Sequence, residues 1–154
     1  MITIRQAEAM ITAAQAHAAQ LGVPVHVAVL DAGAHLKAFS RMDGALLASL
    51  DVAIKKARTA VLFDCGSEAV WDYCKPGGPA PGLELTNGGL APFAGGIPIR
   101  DRSGQLLGAV GVSGGSVPQD LAIAQAAAAA FANRSASSSR RQPNPQGAGA
   151  GAGP

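Results

Sequence analysis

Gly95–Asp120, GGIPIRDRSGQLLGAVGVSGGSVPQD, is the stretch that decides how this chain folds. Aliphatic residues gather at 97–99 and again at 106–112, and Asp101-Arg102-Ser103-Gly104 supplies turn residues between them. The pattern predicts strands over 96–100 and 105–113 joined by a tight turn. Ser113-Gly114-Gly115-Ser116 then leads into a helix from about 117 to 133. Ser116 and Gln119 have the spacing of a capping box, and Asp120 adds negative charge in the first turn, where the helix dipole favours it. Such a corner presents backbone N–H groups at a helix N-terminus, an arrangement that receives anions and ligand carboxylates. Its spacing is not G-x-G-x-x-G and no further strand follows, so a dinucleotide cradle is disfavoured.

Upstream, Thr3 and Gln6 open a first helix with a second capping box. Ile4, Ala7, Ile11, Ala14, Ala18 and Leu21 form its apolar stripe, and Gly22 with Pro24 ends it. Strands at 23–31 and 35–41 predict a hairpin about Ala32-Gly33-Ala34. A second helix is expected over 45–63, capped by Asp43. Its inward residues are Leu46, Leu50, Ala53, Ala57 and Val61, and Asp51 pairs with Lys55. Ser49, Lys56 and Thr59 share a different face. A short helix at 67–74, a Pro/Gly-rich loop at 75–89 and a strand at 90–93 follow. In the last strand, Leu107, Ala109, Gly111 and Ser113 alternate with Leu106, Gly108, Val110 and Val112. The small residues at 108, 109 and 111 predict a close approach to the backbone. Hairpins rather than crossovers join the strands. The expected class is α+β, with a mostly antiparallel five-stranded sheet flanked by helices over residues 1–133. Residues 134–154, rich in Ser, Arg, Pro, Gly and Ala, read as a disordered tail.

The chain has 154 residues, of which 48% are hydrophobic and 14% charged. That fits one domain with a real core, and the sparse charge points to surface covered in an oligomer. Of 12 basic residues, Arg134, Arg140 and Arg141 lie in the tail, so residues 1–133 carry 9 basic against 10 acidic. This near-neutral domain, with 4% aromatic residues, argues against nucleic acid as a partner. No apolar run predicts a membrane span, and no leader pattern opens the sequence. Cys65 and Cys74 sit outside any zinc spacing and read as free thiols of a cytoplasmic protein.

Several residues carry candidate chemistry. His35 begins a strand after a turn, a suitable place for a metal or haem ligand. His17 and His26 read as structural. Arg41 and Asp43 flank a strand-to-helix passage. Lys56, Arg58 and Thr59 offer either a solvated helix face or positive charge for ligand carboxylates. Asn87 and Gly88 lie at a turn or beside a ligand, and Ser113, Gly114, Gly115 and Ser116 form the corner. Spacing reveals no nucleophile–base pair. Catalysis would therefore be acid–base, through Asp31, His35, Asp43 or Lys56.

Three segments in order, DAGAHLKAFSRMDGA at 31–45, KKARTA at 55–60 and GGIPIRDRSGQLLGAVGVSGG at 95–115, resemble the GlcG/HbpS family of haem-binding or "haem-degrading" proteins. The same domain forms the C-terminal part of PduO-type proteins. The resemblance covers about residues 5–132 and implies a profilin-like or PAS-like domain and a homo-oligomer. His35 falls at the family's G-x-H-L position, and Arg41, Lys56, Thr59 and Ser113 match its motif residues. A haem or related tetrapyrrole is the implied ligand. Alternatives are an isomerase- or lyase-type enzyme acting on a small oxygenated or carboxylated molecule, and a non-catalytic regulatory or structural domain.

Overall fold

In the computed structural model, which describes residues 1–138 and side chains through 133, helices cover both faces of one antiparallel sheet. The elements in order are α1 (Ile4–Leu21), β1 (His26–Asp31), β2 (Leu36–Arg41), α2 (Ser49–Phe63), α3 (Trp71–Cys74), β3 (Gly96–Arg100), β4 (Leu106–Ser113) and α4 (Val117–Ser138). The strand order is β2-β1-β4-β3, antiparallel throughout. The fold is α+β, as the hairpin pattern predicts.

Two cores flank the sheet. Val27 and Val29 of β1, with Val110 and Val112 of β4, pack against Met10 and Ala14 of α1 and Ile123 and Phe131 of α4. On the opposite face Ala28, Leu30 and Ala109 meet Ala53, Ala57 and Ala60 of α2. The alanines bring α2 very close to the sheet. A Cβ on Gly111 would collide with the Ala53 carbonyl oxygen, and one on Gly96 with that of Lys56. The small residues of β4 thus admit α2.

The sheet has four strands rather than five. The expected strand at 90–93 is irregular because its backbone is engaged elsewhere. The Leu90 N–H donates to the Glu84 carbonyl, the Ala91 N–H donates to the Thr59 hydroxyl, and Pro92 has no N–H. Strict alternation also fails in β4. Ile99 pairs with Gly108 and Arg100 with Leu106, so Leu107 is an extra residue at a register shift. Leu107 therefore packs with the α1/α4 core and Leu106 with the α2 core, the reverse of the simple pattern.

Both predicted capping boxes are present, at Thr3–Gln6 and Ser116–Gln119, and Asp51 and Lys55 pair at 2.8 Å. Helix α2 starts later than expected, after Ala48, and has no side-chain cap, so Asp43 does not serve as one. Leu46 consequently lies outside the helix and is 67% exposed rather than inward. Helix α4 continues to Ser138. The rest of the expected tail, 139–154, lies outside the described residues.

Candidate functional site

The polar face of α2 turns inward, and its centre is Lys56. This lysine is only 1% exposed. Its ammonium donates to Asp120 Oδ2 at 2.7 Å and to the Val112 carbonyl at 3.0 Å, and lies 5.1 Å from the Phe93 ring centre. Asp120 Oδ1 accepts the Gly115 N–H at 2.9 Å. One buried ion pair thus ties α2, the end of β4, the glycine-serine corner and the first turn of α4. Burial pushes the Lys56 ammonium below its ordinary value, and the hydrogen bond and charge of Asp120 oppose that shift.

The corner therefore already holds a carboxylate, which belongs to the chain itself. The Ser116 N–H is also taken, by Gln119 Oε1. Two of the donors that make this corner a candidate anion site are satisfied internally. The rest of the polar face follows the same plan. The buried Thr59 hydroxyl accepts the Ala91 N–H at 3.0 Å and holds the 90–95 segment against α2. Ser49 donates to the Leu46 carbonyl at 2.6 Å and lies 2.8 Å from His26 Nδ1. Since the hydroxyl proton goes to a carbonyl, Nδ1 of His26 carries the other proton. The serine is thus not activated as a nucleophile. His26 Nε2 is buried with no partner among the described residues. Burial, and secondarily the Arg41 charge, pushes this imidazole below its usual value.

Two concavities open beside this cluster. A recess of about 220 Å³ is bounded by Leu46, Val52, Phe93 and Val117, with Ser113 and Asp120 in its floor. A more apolar cleft of about 540 Å³ shares Phe93 and Val117 with it and adds Trp71, Pro92, Ala94 and Glu68. Trp71 and Phe93 are 49% and 40% exposed, so two of the chain's few aromatic rings face solvent together here.

The other candidate residues lie elsewhere. His35 sits on the β1–β2 turn with its side chain 82% exposed, 3.4 Å from Asp31 Oδ1 through Nδ1. The same oxygen accepts the Gly33 and His35 N–H groups, and the His35 N–H is the main cause holding the Asp31 carboxyl below its usual range. Arg41 and Asp43 are exposed at the end of β2, and Arg58 is exposed on α2. Asn87 and Gly88 are exposed, both with positive φ. Of the residues proposed for acid–base chemistry, only Asp31 and His35 are in contact. Within β1, His26 pairs with Ser113 and Asp31 with Gly108. At ~3.3 Å per residue, His35 and the corner lie on the order of 16 Å apart.

From the sequence, Asp120 reads as a dipole partner and lies just beyond the third resembling segment, and Trp71, Phe93 and Ser49 do not stand out as site residues. The available signal was the face formed by Ser49, Lys56 and Thr59. A polar stripe on a helix otherwise packed through alanines is a buried network when another element covers it.

The chain is thus an α+β domain with a buried lysine–aspartate pair beside an apolar cleft. Residues 2–129 match the family described as "Haem degrading protein HbpS-like", and the chain belongs to that family. It is 39% identical over 125 residues to an uncharacterized 15.0 kDa protein of Citrobacter freundii from the dhaT-dhaS intergenic region, covering 80% of this chain and 87% of that one. It is 43% identical over 114 residues to the corrinoid adenosyltransferase PduO of Salmonella typhimurium. That match covers 73% of this chain and 34% of PduO, so the chain spans about a third of that relative. Among solved structures, the PduOC:haem complex superposes with a TM-score of 0.79 at 40% identity, covering 84% of this chain and 94% of the other. No helix among the described residues is long and apolar enough to cross a membrane.

Proposed function

We propose that this protein binds haem or a related tetrapyrrole, with the macrocycle seated in the cleft between Trp71, Phe93 and Val117. The observation that carries this reading is the cleft itself. It is apolar, about 540 Å³ in volume, and flanked by two exposed aromatic rings in a chain with few of them. Those features suit a flat hydrophobic ring. The haem complex of the similar PduOC domain supports the same ligand class. When bound, haem supplies redox chemistry at its iron; the chain supplies the seat and the donors.

The proposed iron donor is His35. Asp31 Oδ1 lies 3.4 Å from its Nδ1, which leaves Nε2 as the nitrogen for the iron. His35 is too far from the cleft for one macrocycle to use both within one chain. It serves this ring only from a second copy, in keeping with a homo-oligomer. Lys56 is already paired with Asp120 and is not a free partner for propionates. The exposed Arg58 remains a candidate for that role.

Titration of the purified protein with haemin tests the reading. The expected result is a saturable Soret shift at micromolar haemin, at one haem per chain, with an altered spectrum in His35→Ala. Absence of a saturable shift removes haem as the ligand. An acid–base enzyme is not favoured, because Asp31, His35, Asp43 and Lys56 do not converge on one point.

A further inference from the structure

The recess beside the cleft has a feature that the haem reading does not use. Ser113 is only 6% exposed, yet its hydroxyl makes no hydrogen bond to any described residue, and the side chain lines the recess. Unlike His26 Nε2, this oxygen is not sealed in the core but opens on the recess, where a ligand's polar group can reach it. Every other polar side chain at the floor is satisfied. Ser49 donates to Leu46 and lies within hydrogen-bond distance of His26, and both Asp120 oxygens are engaged. One hydroxyl, able to donate and accept, is therefore left facing about 220 Å³ of space.

The charge of the floor selects the ligand. Lys56 and Asp120 neutralise one another at 2.7 Å, and the floor offers no unpaired cation. A carboxylate entering the recess would have to compete with Asp120 for Lys56 and for the Gly115 N–H, and would lose its hydration without a new counter-ion. A cation would find Asp120 already compensated. A neutral carbonyl or hydroxyl loses little hydration and gains the Ser113 hydrogen bond. Leu46, Val52, Phe93 and Val117 would surround its hydrocarbon part.

We infer that the recess floored by Ser113 is a binding site for a small neutral oxygen-bearing organic molecule, a ketone or alcohol of a few carbons, held by its oxygen on the Ser113 hydroxyl. The inference does not rest on haem binding: the recess shares Phe93 and Val117 with the cleft, but Ser113 belongs to the recess alone.

The test uses cyclohexanone as probe and cyclohexanecarboxylate as its charged counterpart, followed by amide NMR shifts in the full chain. Cyclohexanone is expected to move the Gly114 and Gly115 amides saturably, and the carboxylate to bind at least tenfold more weakly. Ser113→Ala is expected to weaken cyclohexanone up to about tenfold, the loss of one hydrogen bond, while leaving the melting temperature unchanged because that hydroxyl has no partner in the fold. Ala48→Leu, at an exposed position on the rim, is expected to block entry without touching the core. Equal or tighter binding of the carboxylate overturns the proposal. So does unchanged affinity in folded Ser113→Ala, or the absence of saturable shifts with cyclohexanone. Haemin titration of Ser113→Ala reads the cleft separately and is expected to match wild type.

Discussion

Replacing Lys56 with Met keeps the length and apolar stem of the side chain but removes its ammonium. Asp120, 2% exposed, then retains only the Gly115 N–H as a partner for a buried carboxylate. Breaking a buried pair from one side costs about 3–5 kcal/mol, about a fifth or more of the stability of an ordinary domain. At about 3 °C per kcal/mol for a chain of this size, the melting temperature should fall by roughly 9–15 °C. The double variant Lys56→Met/Asp120→Leu removes both charges and should recover most of that loss. Chemical denaturation of the two single variants and the double gives the coupling directly. A pH series adds a signature. Burial lowers the Lys56 value in the folded state, so the unfolded chain holds more protons between that value and the ordinary 10.5. Wild-type stability should therefore rise with pH across that window relative to Lys56→Met. A loss below about 1 kcal/mol in Lys56→Met, or additive single effects, would refute the claim that this pair ties the corner to α2.

Other consequences follow from the same packing. His26 is pushed below its ordinary 6.5 by burial, so its contribution to stability is complete above pH 6.5 and is lost as pH falls through the lower folded value. Melts of wild type and His26→Phe should diverge there, with a slope of at most about 1.4 kcal/mol per pH unit; parallel curves would contradict it. Gly111→Ala places a Cβ against the Ala53 carbonyl. It should destabilise by about 1–3 kcal/mol or more in a denaturant titration, since neither the sheet nor α2 can move independently. Unchanged stability would mean that α2 is not held as tightly as its alanine face implies.

The α+β class and the order of elements were legible because each hairpin and cap is local. Thr3–Gln6 and Ser116–Gln119 read directly as capping boxes, and the turn at 101–104 separates two strands without ambiguity. The departures arise where tertiary contacts overrule local pattern. The segment 90–93 looks like a strand, but Thr59 takes the Ala91 N–H and Pro92 offers none. Leu46 looks like part of α2's apolar stripe, but the helix begins at Ser49. The bulge at Leu107 inverts the faces of two leucines through a register shift that no single-strand pattern contains. For the site, the sequence shows the corner and Lys56 but not their relation. It presents the corner as an open anion site, whereas Asp120 and Gln119 occupy two of its donors. The separation of His35 from the corner is likewise invisible until β1 pairs antiparallel with β4.

A tetrapyrrole in the proposed seat lies in the cleft between Trp71 and Phe93. An amide and indole NMR map of the protein with one equivalent of haemin tests it most directly, because the iron broadens signals near the ring. The Trp71 indole and the amides of Phe93, Ala94 and Val117 should broaden together with those of residues 33–36, which a second copy's His35 brings to the iron. Broadening confined to residues 33–36 around His35, with the cleft signals unchanged, would contradict it.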